Sequence, residues 1–452
     1  MTALTGSAAT QIRGETTQGE FHLMKKGYTA TQADLNAFQD TRLCIVDEIS
    51  FADHDAVLAR LGEYLKQFTE DFTKTFGNVA IAFLGDFCQL ESVGGNSIYA
   101  HPNSIYWEQS LTAMVELKGT HRYSGCETLT RIMPELRNHG MTEEMRAIFN
   151  SRVIDDKKVK LPNIATTQFA TYHNRNRCEF NASVFLSYLK ECHADCDENS
   201  IPTSAIVIKA TPSWSKTRKK LSYSQRKTIF EECCDADVEN GHSKHCDPML
   251  TLFSGCRLMG THNSDVKNGV ANGTTSTFKR VVFKQGKRPH KMKLHGHWIY
   301  AIDSEDVDHL LLEWHDSIYR GKFKVSPLTR AFTVKFPVVE DGRKMTVKTS
   351  ISFHHFPLLI NHATTGHKLQ GKSLDALIIA EWSRVKNWAY VVLSRVRTLG
   401  GLFLTSIIPT DIDFDPDPRY LSMITNLRAT ILKTKDDVSD LHERFQFPVN
   451  DP

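Results

Sequence analysis

This sequence predicts an α/β fold built on parallel sheets, and three observations carry the prediction. The apolar runs LCIVDE, from Leu43, and VAIAFLGD, from Val79, each read as a buried parallel strand, and between them Val57, Leu58, Leu61, Leu65, Phe68 and Phe72 recur at helical spacing. Strand, helix and strand form a βαβ unit, whose functional polar residues sit where the strands end at their carboxyl edge. The same alternation returns after residue 165, with FATYH as a strand, Asn174 to Glu191 as a helix, and later LDALIIAE, NWAYVVLSRV and GLFLT. Finally, 452 residues are about three times a typical domain of about 150, so two or three packed units are expected.

Along the chain, Ser50 and Asp53 stand where N-caps of the first helix belong. Between about 290 and 352 the pattern changes to short alternating segments such as HWIYAI, AFTVKF and MTVKTSISF with Gly-containing turns, which predicts a small all-β insertion. From Pro409 the tail is first acidic and then reads as a helix from Tyr420 to His442. Residues 195–250, rich in Lys, Ser, Asp and Cys, carry no readable period.

Composition excludes several classes. With 40% apolar and 24% charged residues and no repeats, the chain reads as an ordinary globular protein. It has no run of the roughly 18 apolar residues that a spanning helix needs, and Met1 to Thr10 lacks the pattern of a secretion signal. An intracellular protein without a membrane partner is therefore expected. Ten scattered cysteines fit reduced thiols better than a disulfide framework. A balance of 55 basic against 52 acidic residues says nothing about nucleic acid by itself, so any phosphate contact must come from local placement of Lys and Arg.

The chemistry concentrates at strand ends. Asp47 and Glu48 close the first apolar strand, which is how an ATP hydrolase holds Mg²⁺ with one carboxylate and orients the attacking water with the other. A solvated strand end is the competing reading of that pair alone. One strand later, Gly85-Asp86-Phe87-Cys88-Gln89-Leu90 brings Gln89 to the same sheet edge, where it can sense a γ-phosphate.

Together with their surroundings, these motifs resemble the petite-integration-frequency type of superfamily 1 DNA helicase, including the forms attached to Helitron-like transposons. TALTGSAATQIRGETTQG, residues 2–19, resembles that family's first DNA-contacting motif, with Gln18 where His is usual. WEQSLTAMVELKGTHRYSG resembles the segment whose arginine, here Arg122, reaches the nucleotide, and GVANGT at 269–274 resembles the turn before an SH3-like insertion. Phe356-Pro357-Leu358 and Thr365 to Gly371 look like the motif that grips single-stranded DNA and couples it to the nucleotide. YVVLSRVR, residues 390–397, looks like the final motif, in which Arg395 would be the arginine finger reaching across from a helix of the second domain; a surface arginine on an amphipathic helix is the alternative.

The resemblance implies two RecA-like P-loop NTPase domains of parallel sheets, the second with a small SH3-like β insertion. The expected layout is a first domain at 1–165, a second at 166–290 and 353–408, the insertion at 291–352, and a helical tail at 409–452. It also implies ATP and Mg²⁺, movement 5′ to 3′ on single-stranded DNA, action at duplex junctions, and a nuclear or mitochondrial address with roles in repair, recombination and telomere maintenance. Asp47 would hold Mg²⁺, Glu48 would orient water, Gln89, Arg122 and Arg395 would contact the γ-phosphate, and Gln370 with Gly371 would link nucleotide to DNA. Thr5, Gly6, Thr17, His367 and Lys368 are the DNA candidates.

These 452 residues lack the family's Gly-rich loop upstream of Thr5, and the expected state is an N-terminally truncated helicase. The only match to G-x-x-x-x-G-K-[ST] is Gly366 to Ser373, inside the DNA motif and ahead of strand-like residues, so it reads as coincidence. The family's Pro-Pro after Gln-Leu is Glu91-Ser92 here, and Cys126 stands where an acidic residue is frequent. The rival reading is a catalytically inactive transposon-derived remnant that at most binds single-stranded nucleic acid. Cys192, His193, Cys196, Cys233, Cys234, His242, His245 and Cys246 have no CxxC spacing, which favours free thiols over a metal site.

Overall fold

Two four-stranded parallel sheets organise the protein. The first has the order Glu15–Thr16, Thr2–Ala3, Leu43–Asp47, Ala80–Phe83. The second has the order Ala363–Thr365, Gln168–Thr171, Leu377–Ile379, Leu402–Leu404. The computed structural model describes residues 1–429 apart from 26, 92–95, 102–103, 116, 118–120, 156, 164–166, 195–203, 215–221, 235–246, 316–318, 320 and 341–342.

In the first unit, Asp53 caps the connecting helix, its carboxylate accepting the N–H groups of Asp55 at 3.0 Å and Ala56 at 2.7 Å. The helix opens with a π turn, His54–Ala59, and continues as α over Arg60–Thr69. Leu58, Leu61, Leu65 and Phe68 are buried against the sheet, each such side chain contributing about 2 kcal/mol. Two expectations change here. Ser50 does not cap the helix but lies buried in the preceding turn, and Phe72 falls beyond the helix end, exposed. The Ala80–Phe83 strand is only partly covered, because it pairs on one side alone among the described residues.

The helix over Asn174–Ala194 packs on the second sheet, and Asn181 binds that sheet's entry, its Oδ1 accepting the N–H groups of His362 and Ala363. Residues 127–154 also pack there and not on the first sheet. Leu129, Ile132, Leu136 and Phe149 share a core with Trp388, Val391 and Leu404, and the Ile154 N–H donates to the Leu404 carbonyl at 2.8 Å. The boundary expected at 165 therefore falls too late. A helical segment carries no local mark of which sheet it will cover.

Three further sheets form a β body. A five-stranded antiparallel sheet runs Lys322–Val325, Val307–Trp314, Thr275–Phe283, Arg257–Gly260, Leu358–Ile360. A four-stranded mixed sheet runs His290–Leu294, His297–Asp303, Ala205–Lys209, Met249–Phe253, and Leu328–Glu340, Arg343–His355 and Thr211–Trp214 make a third. The chain thus enters the β body at Ala205 and leaves it after Ile360, wider than the insertion expected at 291–352. The reason is long-range pairing such as Ile206 with Tyr300, which no local pattern displays.

The helix at 418–429 returns to the first unit. Tyr420, Met423 and Leu427 join its core, and Trp107 Nε1 donates to Met423 Sδ at 3.2 Å. The rest of the helix expected to reach His442 lies outside the described residues, as do Cys196, His242, His245 and Cys246; Cys192 and Cys233 are free thiols. Among the described residues no helix is long and apolar enough to cross a membrane.

Candidate nucleotide and DNA site

Asp47 and Glu48 sit at the carboxyl end of a strand inside the first sheet, as the βαβ pattern requires. The chain turns sharply there: Glu48 has φ 58° and ψ 40°, a left-handed conformation that costs a non-glycine residue about 1 kcal/mol or more. Asp47 Oδ1 accepts the Glu48 N–H at 2.8 Å. Burial pushes the Glu48 carboxyl up to about 7; Asp47 and Asp86 add to the rise, and Arg395 with Gln370 opposes it.

The second unit reaches this carboxylate with three groups. Arg395 is almost wholly buried, and burial, then the neighbouring Arg122, lowers its guanidinium to about 10 while the Glu48 charge works against that fall. Gln370 Nε2 makes long contacts to Ser50 Oγ at 3.5 Å and the Leu90 carbonyl at 3.4 Å. Gly371 lies so near that a Cβ there would stand 3.2 Å from Glu48 Oε1. Arg122 bridges the units differently, donating to Ser373 Oγ and the Ser394 carbonyl, both at 2.9 Å.

Arg395 does not lie on the helix, contrary to expectation. The helix spans Trp388–Leu393 with Ser394 at its C-cap, and the chain then extends so that Val396 bridges Leu374. Arg395 Nε folds back onto the Val391 carbonyl at 2.7 Å, and Nη2 donates to Ser394 Oγ at 2.6 Å. Arg397 points away and pairs with exposed Asp375 at 3.1 Å.

Four of the buried side-chain atoms without a hydrogen-bond partner among the described residues are Glu48 Oε2, Gln89 Oε1, Gln370 Oε1 and Arg395 Nη1. Burying such groups unpaired costs about 1 to 3 kcal/mol each. All four belong to motif residues, so the cost falls where a polar guest would offset it. The structure brings Asp47, Glu48, Gln370, Gly371 and Arg395 together, with Arg122 beside Arg395, and Gln89 next to Leu90, whose carbonyl Gln370 reaches.

Two residues that sequence reasoning missed hold this arrangement. Arg137 Nη2 pairs with Asp86 Oδ1 at 3.1 Å, and that same oxygen accepts the Cys88 N–H, which fixes the loop before Gln89. Asn387, left-handed at φ 65°, donates Nδ2 to the Gln89 carbonyl at 3.0 Å and so ties the second unit's helix start to that loop. An Asn directly before an apolar helical run was the available signal for the second.

The DNA candidates divide. Thr5 caps the helix Gly6–Gln11, and Gly6 packs so closely on the 263–272 turn that a Cβ would meet Asn263 Oδ1 at 2.6 Å. Lys368 Nζ donates to Asn272 Oδ1 at 2.9 Å and Lys372 Nζ to the Gly273 carbonyl at 2.9 Å. Burial lowers the pKa of both Lys368 and His367. Thr5, Gly6, His367 and Lys368 thus meet at one junction with the GVANGT turn. Thr17 does not join them: it is fully buried at the start of the short helix Thr17–Glu20, its hydroxyl donating to Thr2 Oγ1 at 3.1 Å, where it fastens that helix to the Thr2–Ala3 strand.

The Gly366–Ser373 segment has the wrong frame for a phosphate loop. Its short helix, Gly366–Leu369, precedes the Gly-Lys-Ser, and a strand, Leu377–Ile379, follows it. Gly371 has φ 75°, so Gly371→Ala combines a left-handed alanine with crowding of Glu48. A loss of about 1 to 3 kcal/mol is expected, visible as a lowered Tm; an unchanged Tm would show that the segment relaxes freely.

No protein-family model matches the chain. It is 25% identical over 441 residues to the ATP-dependent DNA helicase Pif1 of Bdellovibrio bacteriovorus, covering 92% of this chain and 79% of that protein. It is 24% identical, over an alignment of 500 residues, to the ATP-dependent DNA helicase Pif1 of Psychrobacter sp., covering 98% and 68%. Its fold is similar to the crystal structure of Bacteroides Pif1 bound to ssDNA, with TM-score 0.62 and 18% identity over 95% of this chain and 86% of that one. The Candida albicans Pif1 helicase gives TM-score 0.61 and 18% identity over 94% and 88%.

Proposed function

We infer that this chain is a DNA helicase of the Pif1 type, which couples ATP hydrolysis to 5′-to-3′ movement along single-stranded DNA. The observation that carries the reading is a set of unpartnered buried atoms on the motif residues Glu48, Gln89, Gln370 and Arg395 of both parallel-sheet units, with Arg395 and Gln370 acting on the Glu48 carboxyl. Three are oxygens and one is a guanidinium nitrogen, the donor set suited to a phosphate with its metal and attacking water. Retention of all four disfavours an inactive remnant.

Each residue then has a task. Asp47 would hold the Mg²⁺ that accompanies ATP and neutralises charge on its phosphates. Glu48 orients water, Gln89 senses the γ-phosphate, and Arg395 with Arg122 answers the charge that develops there. Gln370 and Gly371 transmit the nucleotide state to His367 and Lys368, which share a short segment with them. Lys368 and Asn272, beside Thr5 and Gly6, form the track for a single strand. The two parallel sheets act as RecA-like domains, and the five-stranded antiparallel sheet as the SH3-like insertion. The Ala80–Phe83 edge, which has no second strand partner among the described residues, would accept one more parallel strand, such as one leading into a phosphate-binding loop. An intracellular address goes with DNA as substrate.

The test uses two polypeptides. Residues 1–452 alone should bind single-stranded DNA yet show no DNA-stimulated ATP hydrolysis, since their one Gly-Lys-Ser lies ahead of a strand. Extending the chain upstream with a strand and a GxxxxGK[ST] loop should confer hydrolysis and unwinding of duplexes with 5′ tails. Robust turnover by residues 1–452, abolished by Lys372→Ala with DNA binding intact, would reverse the loop assignment; an extended chain that unwinds only 3′-tailed duplexes would reverse the polarity.

A further inference from the structure

Charge is nearly balanced over the whole chain, at +3, yet it is not evenly spread. Lys284, Lys287, Arg288, Lys291 and Lys293 fall within ten residues, and no Asp or Glu occurs from Phe283 to Ile302. Of these five, only Lys287 has an ion-pair partner among the described residues, Asp306 at 2.7 Å; Lys284, Arg288, Lys291 and Lys293 are exposed.

The β register sorts this stretch into two faces. His290–Leu294 is an edge strand paired with His297–Asp303, with Lys291 opposite Tyr300 and Lys293 opposite Trp298. Directly opposed residues share a face, so Lys291 and Lys293 lie with Trp298 and with Tyr300, itself half-buried against the core, while Met292, Leu294 and Ile299 pack on that core from the other face. Trp298 remains 40% exposed. Lysines on an edge strand also guard against strand pairing with other molecules. That role accounts for Lys291 and Lys293, but not for cations in the preceding turn or for an exposed tryptophan beside them.

We propose that the 284–298 hairpin is a second single-stranded DNA contact, separate from the junction of Lys368, Asn272 and Thr5. Cations interleaved with an exposed indole suit a single strand, whose phosphates meet the lysines while a base stacks on the ring; a duplex keeps its bases stacked inside. The position fits. The Thr275–Phe283 strand begins just after the GVANGT turn and spans 9 residues, which at about 3.3 Å per residue sets the hairpin roughly 25 to 30 Å from that turn. The proposal rests on the single-strand reading of the junction, and oligonucleotide length separates the two.

Two variants are compared with the parent chain, each checked for an unchanged Tm: Arg288→Gln/Lys291→Gln/Lys293→Gln and Trp298→Ala. Binding is measured to a single strand of about 4 nucleotides, to one many times longer, and to a blunt duplex. For the long strand, the triple variant should lower the log–log salt slope by about 2, at roughly 0.7 per lost contact, and Trp298→Ala should weaken binding about tenfold. Binding of the short strand should not change. Unaltered long-strand binding, or losses confined to the duplex, would overturn the proposal. Failure of the parent chain to bind even the short strand would instead overturn the junction reading.

Discussion

Replacing Arg395 by alanine should slow ATP hydrolysis by about 10³ to 10⁵ in a chain that carries a phosphate-binding loop ahead of Thr2, the range found when an arginine finger is removed. The structure gives the reason in its own terms. Arg395 is buried with Nη1 unpaired, and its other nitrogens are held by the Val391 carbonyl and Ser394 Oγ. The side chain is thus fixed before any nucleotide arrives, and a preorganised cation in a water-poor site stabilises developing charge without reorganising. ATP affinity should change far less, because the effect belongs to the transition state. Arg397→Ala is the control: its pair with Asp375 is exposed, worth at most about 1 kcal/mol. Single-turnover hydrolysis and nucleotide affinity for both variants decide the matter. Equal hydrolysis by the two would mean that Arg395 serves packing alone.

Glu48→Gln should remove hydrolysis by roughly 10² to 10⁴, the usual worth of a positioned base, while leaving ATP binding largely intact. It should also stabilise the fold. Burial and the neighbouring Asp47 and Asp86 raise the folded-state pKa of Glu48 to about 7 from an ordinary value of 4.5. A raised carboxyl pKa means that the charged form is disfavoured by folding, so stability falls as pH climbs through that interval. The glutamine variant should therefore melt above the parent at pH 8 and come close to it at about pH 4, below the unfolded-state value, measured without nucleotide. A more stable protein that no longer hydrolyses ATP separates catalysis from packing. Unchanged turnover would assign the water to another group.

The strand ends were readable because periodicity and chemistry coincide there. LCIVDE announces both its burial and its two carboxylates, and the structure puts them at the sheet's carboxyl edge. What sequence could not show is pairing over distance. Ile206 beside Tyr300, or Ile154 beside Leu404, leaves no trace in a local window, and so both the β body and the first unit were drawn with the wrong limits. Thr17 shows a related limit: a Thr in a DNA-contacting motif looks the same whether its hydroxyl faces solvent or, as here, Thr2. Arg395 was found by motif and misplaced by period, since an apolar helix continued through SRVR on paper while the chain had already turned at Ser394. Asn387 and Arg137 act through a backbone carbonyl and a loop carboxylate, and neither carries a spacing that marks it.

The return of the 418–429 helix to the first unit gives the candidate nucleotide cleft a seat belt. Besides the side-chain ties at the site, the chain links the units where it passes from the first sheet to residues 127–154, and again where Tyr420, Met423 and Leu427 bed into the first unit's core. A body fastened at two separate points loses most of its freedom to swing. On the proposed reading, a contact that keeps Trp107 on Met423 would limit how far the units part during a nucleotide cycle.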